Sequence, residues 1–126
     1  MPTPPSINQG DLYWCEPDPT DTVGSEQKGK RPWVIISIPR LHRGNCVVGL
    51  PLSSNVAKAV AHLIQIPKNE ITMEGGSSSI DCVALTDQVR ALDKRRLREK
   101  AGHVSPRAIN AIRLGLDYLF GNTPLP

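Results

Sequence analysis

The stretch Arg31-Pro32-Trp33-Val34-Ile35-Ile36-Ser37-Ile38-Pro39, followed by Cys46-Val47-Val48-Gly49-Leu50, decides how this chain folds. Residues 33–38 are dense in β-branched side chains and stop at a proline, which predicts a strand. A basic turn over residues 40–45 carries Gly44 and Asn45 and leads into a second strand over 46–50, so the pair reads as a hairpin. Upstream, residues 10–14 predict a first short strand. Residues 16–31 form a polar connection rich in Pro, Asp, Thr and Gly, long enough to suggest a functional loop.

Downstream, residues 57–63 fit one or two helical turns by propensity, whereas 63–66 alternate as a strand ending at Pro67. The run Gly75-Gly76-Ser77-Ser78-Ser79 predicts a flexible turn, residues 82–85 a strand, and 93–97 a short helical turn. The last element is the most sharply marked. Ser105 is a good N-cap, Pro106 suits the first helical position, and Gly121 follows the end. Ile109, Ile112, Leu116 and Leu119 share one face, with Arg107, Asn110, Arg113 and Asp117 turned away. About five short strands and one terminal helix predict a mainly β fold, a small bent barrel with a C-terminal helix packed on it.

The chain has 126 residues, 39% of them hydrophobic and 21% charged. This is the size and balance of one soluble domain. Twelve prolines and ten glycines favour short elements and many turns. No stretch approaches the roughly 18 apolar residues of a membrane span, and no signal peptide is recognisable, so a cytoplasmic location is expected. Residues 1–8 read as a flexible leader, 9–121 as the domain, and 122–126 as a short tail. Cys15, Cys46 and Cys82 are scattered, which argues against a disulfide framework or a zinc site, and each is expected to be a buried thiol. No cofactor and no metal are implied.

Net charge is only +3, but it is unevenly placed. Acids dominate residues 1–27. Arg90, Lys94, Arg95, Arg96, Arg98, Lys100 and Arg107 far outnumber Asp93 and Glu99 in the segment 90–107. That segment is either a phosphate-binding patch or a solvated face laced with pairs such as Arg95–Glu99.

The most informative stretch for chemistry is Gly24-Ser25-Glu26-Gln27-Lys28-Gly29-Lys30-Arg31-Pro32. A carboxylate, an amide and a guanidinium share one glycine-punctuated loop that runs straight into a strand. Pro32 biases Arg31 toward extended backbone, so the start of the sheet aims its side chain. A guanidinium held in this way suits phosphate, which its planar fork grips bidentately. Arginine is a poor base, so Glu26 is the better candidate to take a proton. Among the aromatic residues, core packing is expected for most, with base stacking as the alternative. His42, in the basic turn, is a candidate RNA contact; His62 and His103 read as structural or exposed.

These residues resemble the MazF/PemK (Kid) family of toxins. The resemblance is carried by Gly10-Asp11-Leu12-Tyr13-Trp14, Asp18-Pro19-Thr20, Gly24-Ser25-Glu26-Gln27 with Arg31-Pro32, and Pro51-Leu52-Ser53-Ser54. It continues through Asp87-Gln88-Val89-Arg90, Asp93-Lys94-Arg95-Arg96-Leu97 and Gly102-His103-Val104-Ser105. It implies an SH3-like barrel of the CcdB/Kid/MazF type, a homodimer, and metal-independent cleavage of single-stranded RNA to 2′,3′-cyclic phosphate and 5′-hydroxyl ends. It also implies a cognate antitoxin, expected to bind through an acidic, disordered tail. The family's catalytic arginine maps onto Arg31 and its catalytic Thr or Ser onto Ser53, with Glu26 as its loop acid. Ser25, Gln27, Lys30, Arg43, Asp87 and Gln88 are the expected RNA contacts. Asp21-Thr22-Val23 lengthens the first loop beyond the usual pattern. The alternatives are a gyrase-binding toxin of the CcdB type and a non-cleaving RNA-binding homologue. The first depends on a Trp-Gly-Ile terminus, where this chain has Asn122-Thr123-Pro124-Leu125-Pro126.

Overall fold

The structure is a computed structural model, and it describes residues 6–15, 31–42, 44–77 and 80–122. The strands are β1 (Asp11–Cys15), β2 (Arg31–Ile35), β3 (Cys46–Ser53), β4 (Ile64–Ile66), β5 (Ile71–Met73), β6 (Gly76–Ser77), β7 (Cys82–Ala84), β8 (Arg90–Asp93) and β9 (Leu97–Val104). One helix follows, α1 (Pro106–Leu119). The strands join in the order β4-β7-β3-β2-β1-β9-β5-β6, with β8 added beside β3. All the pairings are antiparallel. The sheet curls into a nearly closed barrel that carries α1.

Period-2 alternation explains why β2 is apolar on both faces. Val34 points with Leu12, Leu50, Leu52, Ile66 and Ala84 into the main core, which the Ala108, Ile109 and Ile112 face of α1 completes. Trp33 and Ile35 point the other way and pack with Tyr13, Cys15, Val47 and Leu92 in a second, smaller core. Each fully buried Leu, Ile or Val here contributes about 1.5–3 kcal/mol of burial.

The helix forms where the sequence marks it. Ser105 Oγ accepts the Ala108 N–H at 3.1 Å, and Gly121 takes φ +75° just past the end. Its buried stripe is Ala108, Ile109, Ile112 and Gly115, with Leu116 and Leu119 half-buried. Gly115 is needed for close approach, because a Cβ there would lie 2.7 Å from the His62 carbonyl oxygen.

Several expectations change. The segment 57–63 holds no α-helix; Val56–Lys58 is a single 3-10 turn, capped by the Asn55 side chain accepting the Ala57 N–H. Lys94–Arg96 is a 3-10 turn set between β8 and β9, the short helical turn expected over 93–97. Strands β5, β6, β8 and β9 exceed the five expected. Their sequences are short or heavily charged, and long-range pairing rather than local pattern makes them strands. The end of the leader is fastened: Ile7 packs on the second core, and Asn8 N–H donates to Asp11 Oδ2 at 2.8 Å. Of the thiols, only Cys15 is buried; Cys46 is exposed and Cys82 half-buried. Cys46 opens β3 with its side chain on the outer side, where alternation puts it one step from buried Val47. Phe120 stands exposed beyond α1, also against expectation.

Candidate active site

Strand register brings the two principal candidates together. β2 and β3 pair Ile35 with Gly49, Val34 with Leu50, and Trp33 with Pro51. The paired positions end at Trp33 and Pro51, and Arg31 and Ser53 each lie two residues beyond them, at the same end of the β2–β3 pair. On its other side Arg31 pairs with Cys15 of β1. Ser53, Arg31 and Cys15 therefore lie at neighbouring ends of three adjacent strands.

The polar atoms of these three residues are poised differently. Arg31 Nε is buried with no hydrogen-bond partner among the described residues. A buried unsatisfied donor costs about 1–3 kcal/mol, and such a group calls for a ligand or a role. Ser53 is only 3% exposed, and its Oγ accepts the Asn55 N–H at 3.2 Å. With one lone pair so engaged, its hydroxyl proton has no acceptor among the described residues. The Cys15 thiol is pushed up by burial, against an opposing pull from the charges of Arg96, Arg90 and Arg98. It is a packed thiol in a cationic setting rather than a nucleophile.

Asp87 and Gln88 lie on the 3-10 turn Thr86–Gln88 that follows β7. The turn starts beside β3, where Leu85 N–H donates to the Pro51 carbonyl at 3.0 Å. The Asp87 carboxylate is half exposed and lies 3.8 Å from His62 Nε2. His62 in turn stacks on Tyr118 of α1, and its carbonyl accepts from Thr86 Oγ1 at 2.6 Å. Sequence reading left His62 without a role. Its partners are far away in the chain, so no local pattern announces them.

Glu26, Ser25, Gln27, Lys30 and Arg43 fall outside the described residues. His42 is engaged within the fold: its Nε2 lies 2.5 Å from Ser37 Oγ and its Nδ1 3.0 Å from the Ile7 carbonyl. The basic segment is not helical, so the i,i+4 pairing expected of Arg95 and Glu99 gives way to another. Arg95 grips Asp93 through Nε and Nη2 at 3.1 and 3.0 Å. These bonds, with the Arg95 N–H, hold the Asp93 carboxyl down at about 2. Among the described residues, no group of three or more His, Cys, Asp or Glu side chains is arranged to hold a metal ion. No helix among them is long and apolar enough to cross a membrane.

A family model described as PemK-like, MazF-like toxin of type II toxin–antitoxin system matches residues 8–120. The chain therefore belongs to that family of toxins. An endoribonuclease MazF of Staphylococcus epidermidis is 32% identical to it over 118 residues, covering 91% of this chain and 92% of that protein. Two solved structures share the fold. MazF from Deinococcus radiodurans superposes with a TM-score of 0.74 at 24% identity, over 94% of this chain and 99% of that one. A MazF chain from the MazE–MazF crystal structure of the same organism gives 0.71 at 24% identity, over 95% and 100%.

Proposed function

We propose that this chain is an endoribonuclease toxin that cuts single-stranded RNA at Arg31 and Ser53 without a metal. The observation that supports the reading is that Arg31, whose buried Nε has no partner among the described residues, and Ser53, whose hydroxyl proton no described residue accepts, lie at the same end of the paired strands β2 and β3. The reaction uses the RNA's own 2′-hydroxyl. O2′ attacks phosphorus, the P–O5′ bond breaks, and a 2′,3′-cyclic phosphate and a 5′-hydroxyl result. Glu26 takes the proton from O2′. Arg31 neutralises the charge that builds on the non-bridging oxygens, Ser53 donates a hydrogen bond to phosphate or to the leaving oxygen, and O5′ takes its proton from solvent as the P–O5′ bond breaks. Gln27, Ser25, Lys30, Arg43, Asp87 and Gln88 hold the flanking nucleotides. Because the nucleophile belongs to the substrate, no metal-activated water is needed.

The test is to map the ends left on a long natural RNA, with and without EDTA. Cutting is expected to survive chelation and to leave cyclic phosphate at the 3′ ends. Activity lost to EDTA and restored by a divalent ion would sink the mechanism.

The same reading extends to partners. Its Deinococcus counterpart was solved with MazE, and a groove shaped for phosphates also suits the carboxylates of an acidic tail. We expect a homodimer whose cognate antitoxin competes directly with RNA, ordering its tail on binding. Sedimentation should give twice the chain mass. A ternary complex with uncleaved RNA and antitoxin filling every site would contradict direct competition.

A further inference from the structure

Away from Arg31, at the other end of β1 and β2, a second group of polar side chains converges. Gln9, Val104, Pro106, Ile109, Asn110 and Arg113 line a half-open cavity of about 250 Å³, between the chain entering β1, the end of β9 and the first turns of α1. Its apolar side is formed by buried Val104 and Ile109. Its polar side is built around one guanidinium. Gln9 Nε2 donates to the Ile36 carbonyl at 2.8 Å, which leaves Gln9 Oε1 to accept from Arg113 Nη2 at 3.3 Å. Arg113 Nη1 donates to Asn110 Oδ1 at 3.4 Å, so the Asn110 amide N–H groups remain as donors. Both acceptors are neutral, and Arg113 has no carboxylate partner among the described residues. Ile36 follows β2, which Arg31 opens. At the rise of an extended strand that separates the cavity from Arg31 by roughly 16 Å.

We infer that this cavity binds a carboxylate carried on a short aliphatic group. A cation held between two neutral amides is oriented without being neutralised. An anion gains charge-assisted bonds of about 2.7–2.9 Å there, in place of the longer neutral ones. The guanidinium fork and the neighbouring Asn110 amide supply donors, and the planar fork matches the two oxygens of a carboxylate. The apolar side sets what carries it. Val104, Ile109 and Pro106 favour aliphatic bulk and penalise a hydrated phosphodiester. The volume falls below the roughly 300–1,000 Å³ of pockets for drug-sized ligands, which limits the occupant to something near one side chain. A free short-chain acid and a glutamate side chain of a bound polypeptide present the same chemistry to Arg113. An RNA phosphate is the competing occupant. The inference stands whether or not the chain cleaves RNA, because the cavity shares no residue with the proposed site.

The experiment follows backbone amide resonances of the full-length protein during titration with isovalerate, and separately with the peptide acetyl-Leu-Glu-Leu-amide. Isovaleramide and acetyl-Leu-Gln-Leu-amide are the uncharged counterparts. The amides of Ile109, Asn110 and Arg113 should move with a carboxylate probe and stay still with its neutral counterpart, while those of Cys15 and Arg31 stay still throughout. Whichever carboxylate saturates the shifts at lower concentration identifies the source. Arg113→Gln should weaken binding about tenfold or more, the size expected for losing a hydrogen bond to a charged group. Arg113→Lys, which keeps the charge without the fork, should recover part of that loss. Arg113 is exposed, so both variants should melt with wild type. Equal shifts with the neutral probes, or unchanged affinity in Arg113→Gln, would overturn the carboxylate site. So would stillness of the three amides with every probe. Shifts produced by a single-stranded 2′-O-methyl RNA and by neither carboxylate would also overturn it, and would give the cavity to phosphate.

Discussion

Replacing Arg31 by alanine should lower RNA cleavage by about 100-fold or more while the protein still folds. The magnitude follows from the loss of one preorganised donor to developing charge, which costs on the order of 3 kcal/mol. Arg31 opens β2, and its Nε has no partner among the described residues, so no hydrogen bond from that nitrogen to a described residue is lost with it. Removing the guanidinium also relieves a buried unsatisfied donor, so stability should hold or rise slightly. Cleavage rate and thermal unfolding measured on the same sample check both halves. Wild-type cutting by a folded Arg31→Ala protein would place the clamp elsewhere. Ser53→Ala should impair cleavage less, because its hydroxyl supplies one neutral hydrogen bond where the guanidinium supplies charge.

Gly102→Ala should be the most damaging single methyl for the fold. Gly102 pairs with Leu12 of β1 and Met73 of β5, at a place where the β1–β9 register shifts. Its φ is +155°, and a Cβ built on it would lie 1.9 Å from the Thr72 carbonyl oxygen and 2.8 Å from Met73 Cα. Both neighbours are backbone, so neither can swing aside, and the ladder joining β5 to β9 has to open. A loss of about 3 kcal/mol or more is expected, and a domain of this size should then melt about 12 °C lower or further. Gly44→Ala is the control: nothing lies within 4 Å of its added Cβ, so Tm should hardly move. Equal melting temperatures for the two variants would show that the β5–β9 contact is looser than its geometry implies.

Strong local signals were legible in the chain. Ser105, Pro106 and Gly121 marked the ends of α1, and the β-branched run after Pro32 marked β2, because capping and propensity act within a few residues. The ordered blocks from Gly10 to Ser105 identified the toxin family and named Arg31 and Ser53 as candidates. Phe120 and Cys46 were misjudged because apolar character says nothing about which side of a strand, or which end of a helix, meets solvent.

Sequence alone determined the class of protein, the terminal helix, and the residue types suited to phosphate. Only the tertiary structure decided that Arg31 and Ser53 share one end of the β2–β3 pair, since that depends on a register between strands some 20 positions apart. It alone decided that His62 reaches Asp87 and that Asp93, not Glu99, holds Arg95. The physical reason is common to all three. Charge and hydrogen bonding act over a few ångströms of space, whereas the order of the sequence fixes only which residues are neighbours along the chain.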